Sequence, residues 1–325
     1  MNLILKSSYI GCYQIYHSTR PSSNNISTVM SVCNPNWQNA SFSLYRYEPS
    51  VAAAVLFCIL FLASALLHFW QMYRTRSWFL GALVAGCFTE CLGYAARTAS
   101  AREEPGCWKM MPYIIQSVFI LLSPALFSAS IYVVLGRIVR LTDGDAHVVI
   151  KNRYITKTFV TGDLICLFLQ CAAGGLMGGS RANPALYKIG NGVIIASLIL
   201  QLIWFALFVV VASLFHRSMR MVPTAEARRP DVRWQSYLCT LYIVSFFVMV
   251  RSLFRAIEYI EGSDGFLQRS EALFYVFDSL LMVLAVVYLH WKHPGEIGVL
   301  LRGQEPCTNG LKHFQFWHIS TEEKA

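Results

Sequence analysis

Five ionisable side chains lie within, or directly at the end of, two long apolar segments of the sequence. Arg251, Arg255 and Glu258 are spaced by four and three residues, and Glu271 and Asp278 lie seven residues apart in the next apolar segment. On an α-helix, offsets of 0, 4 and 7 residues fall within about 60° of one another, so each group forms a polar stripe. A lone charged side chain near the centre of a bilayer costs about 2.5–3.5 kcal/mol. These side chains must therefore form ion pairs, be hydrated or have a functional role.

The composition is that of a membrane protein. Of the 325 residues, 55% are hydrophobic and 14% are charged, and the mean hydropathy is +0.46. A soluble domain is about 25% charged. The net charge of +9 comes from basic residues in short loops between apolar segments, which indicates membrane orientation and not a nucleic-acid partner. The glycine-rich segment 174–179 lacks the Lys-Ser/Thr of a phosphate loop, so we expect no nucleotide binding there.

Seven apolar segments each approach the roughly 20 residues that a bilayer requires. We predict an all-α integral membrane protein with seven transmembrane helices. Pro124 removes an internal hydrogen bond and should kink the third helix, and the glycines of 174–179 should end the fourth in an irregular loop. The segments are 51–73, 78–96, 113–135, 155–177, 191–215, 237–257 and 272–291.

The loop charges predict the orientation. The side with the first, third and fifth loops and the C-terminus carries 13 Lys and Arg near the membrane, and the opposite side carries 6. The positive-inside rule then places the N-terminus outside and the C-terminus in the cytosol. We therefore divide the chain into an extracytosolic tail (1–48), a seven-helix membrane domain (49–300) and a cytosolic tail (301–325).

The N-terminal tail agrees with this orientation. It holds two glycosylation sequons, at Asn25 and Asn39. Cys33 and Cys107 both face the oxidising side, where they either form a disulfide or remain free thiols; Cys12 is left over.

The predicted topology brings polar residues of several helices to similar depths in the outer half of the membrane. Such a layer is either a structural ion-pair network or a hydrated substrate path, and its excess of acid would suit an amine headgroup. The candidate residues are Glu90, Tyr94, Arg97, Gln116, Asp163, Gln170, Gln201, Arg251, Arg255, Glu258, Glu271 and Asp278.

Several motifs across residues 45–302 resemble the RTA-like fungal membrane proteins, the lipid-translocating exporter family. They are Glu90-x2-Gly93-Tyr94-x2-Arg97, Gly162-Asp163 with Gln170, Arg251-x2-Phe254-Arg255-x2-Glu258, Tyr275-x-Phe277-Asp278 and His293-Pro294-Gly295. The resemblance implies a seven-helix, N-outside protein that exports or translocates sphingoid long-chain bases and gives resistance to toxic amphiphiles. It implies the lipid bilayer and an amphiphilic lipid as partners, and no cofactor.

The resemblance also bears on the start of the chain and its location. Family members begin shortly before Tyr45, so residues 1–29 resemble an extension or a misplaced start, with Met30 as an alternative start. We expect a multi-pass protein of the plasma membrane, with the vacuolar or endosomal membrane as alternatives. The sequence leaves the oligomeric state open.

Two other function classes remain open. A seven-helix receptor or lipid-stress sensor shares the topology, although the third helix lacks an acidic-Arg-aromatic triad and the seventh lacks Asn-Pro-x2-Tyr. A metal-dependent intramembrane hydrolase would need histidine ligands, and His68, His290 and His293 lie at cytosolic helix ends. No histidine shares a helix face with an acid, so we predict no metal and no enzymatic activity.

Overall fold

The structure is a computed structural model that describes residue 33 and residues 37–39, 43–179, 184–230, 232–262 and 265–303. All its regular elements are helical, and seven helices are long and apolar enough to cross a membrane. The sequence correctly predicts this fold class. The helices are α1 Val51–Arg74, α2 Gly81–Ala101, α3 Met110–Leu141, α4 Asn152–Gly179, α5 Pro184–Met221, α6 Trp234–Glu261 and α7 Glu271–Leu300.

The helices form a closed bundle with α3 near its centre. Each helix packs against its neighbours in the chain, α7 also packs against α1, and α3 also contacts α6. Accordingly, 61% of the most apolar window of α3 is buried, against 28% for α1, α4 and α5. The outer helices turn large apolar side chains such as Leu56 and Phe168 away from the bundle. This exposed apolar surface is suited to contact with lipid, where the helical hydrogen bonds satisfy the backbone.

Most helices extend beyond the apolar segments that predict them. α5 begins at Pro184 and ends at Met221, because apolar residues report only the part within the hydrocarbon and a helix continues into the headgroup region. α4 ends at Gly179, inside the segment predicted to end it, but residues 174–179 are helical and do not form the irregular loop that the glycines predicted. A helical glycine costs about 1 kcal/mol, less than exposing unsatisfied backbone groups at membrane depth.

Helix α7 is irregular in two places. A π-helical segment, Tyr275–Leu280, interrupts its first half, and the backbone leaves the helix at residues 292–294 before a last helical turn, Gly295–Leu300. The π-helical segment carries Asp278, whose side chain is buried. Single-turn π-helical segments inside α-helices are frequent at functional sites.

Two glycines bring α2 and α3 into close contact. A Cβ atom at Gly86 would lie 2.6 Å from the ring of Phe127, and one at Gly93 would lie 2.7 Å from Ile120. Small residues at such interfaces let membrane helices approach closely. Glu90 lies between the two glycines, four residues after one and three before the other, so it shares the face of α2 that packs against α3.

Candidate functional site

An ion-pair network joins α6 to α7 around Asp278. Arg255 binds both oxygens of this carboxylate, from Nε at 2.9 Å and Nη2 at 3.1 Å, and its Nη1 donates to Glu258 at 2.9 Å. Arg251 Nε lies 2.9 Å from Asp278 Oδ1, at an angle too bent for a hydrogen bond. Two guanidiniums and two carboxylates thus meet, and the network is electrically neutral.

Arg251 also links this network to α3. Its Nη2 donates to the carbonyl oxygen of Ile120 at 2.7 Å. Pro124, four residues later in α3, has no N–H to donate to that carbonyl. The proline therefore leaves a backbone acceptor open inside the membrane, and Arg251 satisfies it.

A second ion pair lies between α2 and α7. Arg97 Nη2 and Glu271 Oε1 are 3.0 Å apart, and Arg97 is 1% exposed. Glu271 also accepts the backbone N–H of Ser50, at 2.9 and 3.0 Å, and so fixes the start of α1. The guanidinium donates from Nε to the Tyr275 hydroxyl and from Nη2 to the Tyr47 hydroxyl, at 3.0 and 2.8 Å.

Aromatic rings complete the surroundings of Arg97. The guanidinium carbon of Arg97 lies 4.5 Å from the ring centre of Phe274. The guanidinium carbon of Arg255 lies 5.0 Å from the same ring centre. Tyr45 and Tyr47 each lie 5.6 Å from Arg97. Burial raises the pKa of the Tyr45 phenol to about 12, although Arg97 acts in the opposite direction. Both tyrosines therefore stay neutral, and Glu271 is the anion that balances Arg97.

Glu90 lies beside the network without joining it. The side chain is 1% exposed, and neither carboxylate oxygen has a hydrogen-bond partner among the described residues. The charged groups that act on it are Arg251, Arg255 and Asp278, and both arginines already pair with Asp278. The Ser123 hydroxyl, which faces it from α3, donates to the Gly86 carbonyl at 2.8 Å. Glu90 is thus a buried acid without a cation of its own among the described residues, and the one hydroxyl that faces it donates to a backbone carbonyl.

The polar residues of α4 form a separate group. Asp163 accepts a hydrogen bond from the Tyr132 hydroxyl at 2.8 Å, and its second oxygen has no partner among the described residues. Gln170 donates to Gln201 at 2.9 Å, which joins α4 to α5. No described hydrogen bond or ion pair connects these residues to the network around Asp278.

Two further predicted site residues lie at the margin of the network. Tyr94 and Ser279 share a short hydrogen bond between α2 and α7. Gln116 is buried beside Tyr45. The structure therefore brings seven of the predicted site residues into contacts among α2, α6 and α7: Tyr94, Arg97, Arg251, Arg255, Glu258, Glu271 and Asp278. Of the predicted site acids, Glu90 and Asp163 are outside any ion pair between described residues.

Several residues that build the site were not predicted as site residues. Tyr275 lies four residues after Glu271 and three before Asp278, so helical spacing alone would have found it. Tyr47 and Ser279 carry no such signal, because each reaches its partner from a distant part of the chain. The same holds for Tyr132, which reaches Asp163 from the preceding helix.

A histidine cluster lies at the opposite end of the bundle. The ring centre of His68 is 5.4 Å from that of His290 and 5.9 Å from that of His293. His68 Nε2 lies 3.1 Å from the Val286 carbonyl, and His293 Nδ1 accepts the Gly295 N–H at 3.0 Å. Among the described residues, the side chains that come within metal-ligand spacing are instead Cys33, Glu104 and Cys107. The histidines connect α1 to α7 and do not form a ligand set.

The cysteines near the other end are bonded to each other. Cys33 and Cys107 form a disulfide, with Cα atoms 4.8 Å apart, which ties the tail to the loop after α2. The two thiols are therefore not available to a metal. Of the sequons, Asn39 lies in a short 3₁₀ helix, Trp37–Asn39, and Asn25 lies outside the described residues. Cys12 and Met30 also lie outside them.

Comparisons with known proteins agree with these features. The sequence model of the RTA1-like proteins matches residues 83–299. The chain is 34% identical to Protein RTA1 of Saccharomyces cerevisiae, over 76% of this chain and 83% of the relative. It is 30% identical to Protoporphyrin uptake protein 1 of the same yeast, over 77% and 91%, and 22% identical to its Sphingoid long-chain base transporter RSB1, over 70% and 67%. No solved structure matches the chain.

Proposed function

This chain belongs to the RTA1-like family of fungal lipid-transporting membrane proteins, and from this premise we propose that it carries a cationic amphiphile of the sphingoid long-chain base class across the bilayer. In this proposal the chain acts as an exporter or flippase-like translocator, and it contributes to resistance to toxic lipids or drugs. The plasma membrane is the proposed location. The sequence has no phosphate-loop motif, so a gradient or another protein would supply the energy.

The environment of Glu90 is the observation that carries the proposal. A sphingoid base presents a single ammonium group with three N–H donors, and an ionised carboxylate is an acceptor that pairs with it. Glu90 offers two oxygens with no partner among the described residues, inside an otherwise neutral arrangement of ion pairs. A bound ammonium group would supply the missing positive charge and the missing donors. The name of one relative, a sphingoid long-chain base transporter, supports the same class of substrate.

A route of access to Glu90 is part of the proposal. The carboxylate is closed off, since the side chain is 1% exposed. The elements around it are held by side chains of α7, whose hydrogen-bonding pattern is already irregular at Tyr275–Leu280. We propose that movement of α7 at this π-helical segment opens a path between Glu90 and the lipid. The ion pairs of Asp278 would guide the helix back to the closed arrangement.

The test measures flux in vesicles that contain only this protein. We expect Glu90→Gln to reduce the movement of a headgroup-labelled sphingoid base by about tenfold or more, since one charge-assisted hydrogen-bonded pair contributes about 1.5–3 kcal/mol. An N-acetylated form of the same base, which has no positive charge, should move equally in both proteins. Glu226→Gln is the matched control, because Glu226 is an exposed acid that pairs with Arg229 outside the apolar spans.

Two results would contradict the proposal. If Glu90→Gln has the thermal stability of the unaltered protein and moves the base at the same rate, Glu90 is not the headgroup site. If neither protein moves any sphingoid base, the substrate class is wrong.

A second candidate substrate follows from the relative named for protoporphyrin uptake, which is more similar to this chain than the base transporter. A porphyrin with carboxylate groups would be repelled by an acid such as Glu90 and would need cations instead. In that case Glu90→Gln would leave porphyrin uptake unchanged or increase it. Measuring both substrates with the same variant therefore separates the two candidates.

A further inference from the structure

A polar groove lies at the end of α5 that the loop charges predict to be cytosolic. Its volume is about 420 Å³, and it is formed by one face of α5 and by a tyrosine of α6. Four of the α5 residues follow the spacing i, i+3, i+4, i+7, so they form one stripe along the helix. The lining residues are Ser213, His216, Arg217, Arg220, Met221 and Tyr242.

The groove lies at the depth of lipid headgroups. The apolar segment of α5 ends at residue 215, and the helix continues to Met221. α5 has 38 residues, and at 1.5 Å per residue it is about 57 Å long, whereas the hydrocarbon core is about 30 Å thick. Arg217 and Arg220 lie two and five residues past the end of the apolar segment, within about one and a half helical turns, where phosphate groups are found.

The charge of the groove is positive and uncompensated. Its lining includes two arginines and one histidine and no acid. In the part of the chain that the structure describes, neither Arg217 nor Arg220 forms an ion pair. A guanidinium matches the geometry of a phosphate group and binds it through two hydrogen bonds.

The wall of the groove is held in place by aromatic contacts. His216 stacks on Tyr242 with ring centres 5.8 Å apart, and its other neighbour is Trp234, edge-on at 5.6 Å. The Tyr242 hydroxyl donates to the Ala212 carbonyl at 3.1 Å. The polar stripe is therefore presented on a preorganised surface, which lowers the cost of binding.

An exposed apolar stripe leads from the groove towards the membrane centre. Leu207, Val210 and Leu214 are 48%, 52% and 46% exposed, and they continue the helix face that carries Arg217. The surface is apolar at the depth of the acyl chains and positively charged at the depth of the headgroup. It therefore complements an anionic phospholipid, which is apolar and negatively charged at the same two depths. We propose that the groove binds the phosphate of an anionic phospholipid, whose acyl chains lie along Leu207, Val210 and Leu214.

The experiment uses the full chain, purified and placed in nanodiscs. One set contains phosphatidylcholine only, and the other also contains phosphatidylserine or a phosphatidylinositol phosphate; lipids retained by the protein are counted by native mass spectrometry. We expect the unaltered protein to retain the anionic lipid in preference to phosphatidylcholine. The double variant Arg217→Gln/Arg220→Gln should lose this preference by about tenfold or more, because each basic side chain near the surface contributes to anionic-lipid binding.

The control removes the same charge from the same end of the bundle. Arg153→Gln/Arg228→Gln changes two exposed arginines that do not line the groove, and it should retain the anionic lipid as the unaltered protein does. Equal losses in the two double variants would show general surface electrostatics and would overturn the site. An unchanged preference in the Arg217/Arg220 variant would overturn it as well.

A further arm separates a lipid from a free anion. Inorganic phosphate at millimolar concentration should not displace the lipid, since it lacks the contacts along α5. Complete displacement would show that the groove binds a free phosphate group and not a phospholipid. None of these outcomes depends on transport, so the inference stands or fails separately from the proposed substrate.

Discussion

Buried acids with and without a cation partner have different roles. Asp278 binds the guanidiniums of both Arg251 and Arg255, so it is a structural centre of the bundle. Glu271 holds Arg97 and the start of α1. Glu90 has no such partner among the described residues. We therefore expect a substitution at Asp278 to change stability first, and we propose that a substitution at Glu90 changes transport.

This difference gives a prediction at the scale of single residues. Asp278→Asn should lower the free energy of unfolding by about 3–5 kcal/mol, because removing one partner leaves buried charges uncompensated. Glu90→Gln should leave it nearly unchanged, because Glu90 has no ion pair with a described residue to lose. Thermal unfolding in detergent measures both. Equal destabilisation by the two variants would contradict the assignment of Glu90 as an unpaired acid.

At the scale of helices, the close contact of α2 with α3 places Glu90 in the interior. The glycines on either side of it, Gly86 and Gly93, allow this approach. Pro124 contributes in another way, since it opens the Ile120 carbonyl to Arg251. The helix interfaces thus depend on residues that carry no charge themselves.

We expect Gly86→Ala to destabilise the bundle by about 1–3 kcal/mol, the usual cost of adding a methyl group to a filled interface. The added Cβ would lie 2.6 Å from the Phe127 ring, so the ring or the helix must move. Gly174→Ala is the matched control, because that helical glycine has open space around its Cβ position. The control should be neutral or slightly stabilising. A Gly86→Ala protein as stable as the control would show that the interface is not tightly packed.

For the molecule as a whole, the disulfide and the loop charges are consistent with the same orientation of the chain across the membrane. A disulfide forms in an oxidising compartment, and Cys33 and Cys107 lie on the face that the loop charges predict to be outside. Both observations support the prediction that the N-terminus lies outside.

The corresponding prediction concerns thiol reactivity. In the denatured protein, Cys33 and Cys107 should react with a maleimide–polyethylene glycol reagent only after reduction, because both thiols are in the disulfide. Cys239, a free and exposed cysteine, should react without reduction and serves as the control. If Asn39 is glycosylated on the outer side, glycosidase treatment of intact cells should increase the electrophoretic mobility of the protein. Labelling of both cysteines before reduction would rule the bond out.

The amino-acid sequence was sufficient to predict the fold class and to select candidate residues for the site. Seven apolar segments predict seven helices because a bilayer requires about 20 apolar residues for each crossing, and the spacing of Arg251, Arg255 and Glu258 predicts a polar stripe because helical geometry is local. Helix ends were less predictable: α5, predicted over residues 191–215, runs from Pro184 to Met221. Polar residues and glycines past an apolar segment do not stop a helix whose hydrogen bonds remain favourable.

Only the tertiary structure decided which acid has which partner. The sequence predicted an excess of acid in the layer, but each pairing joins residues far apart in the chain, such as Arg97 with Glu271 and Tyr132 with Asp163. Helical spacing fixes a side chain's direction on its own helix, whereas its partner depends on how neighbouring helices pack. That packing rests on the contact of α2 with α3 and on the closure of α7 against α1. It pairs Asp278 and Glu271 with arginines and leaves Glu90 outside any ion pair between described residues, which is why we propose it as the acid for a substrate.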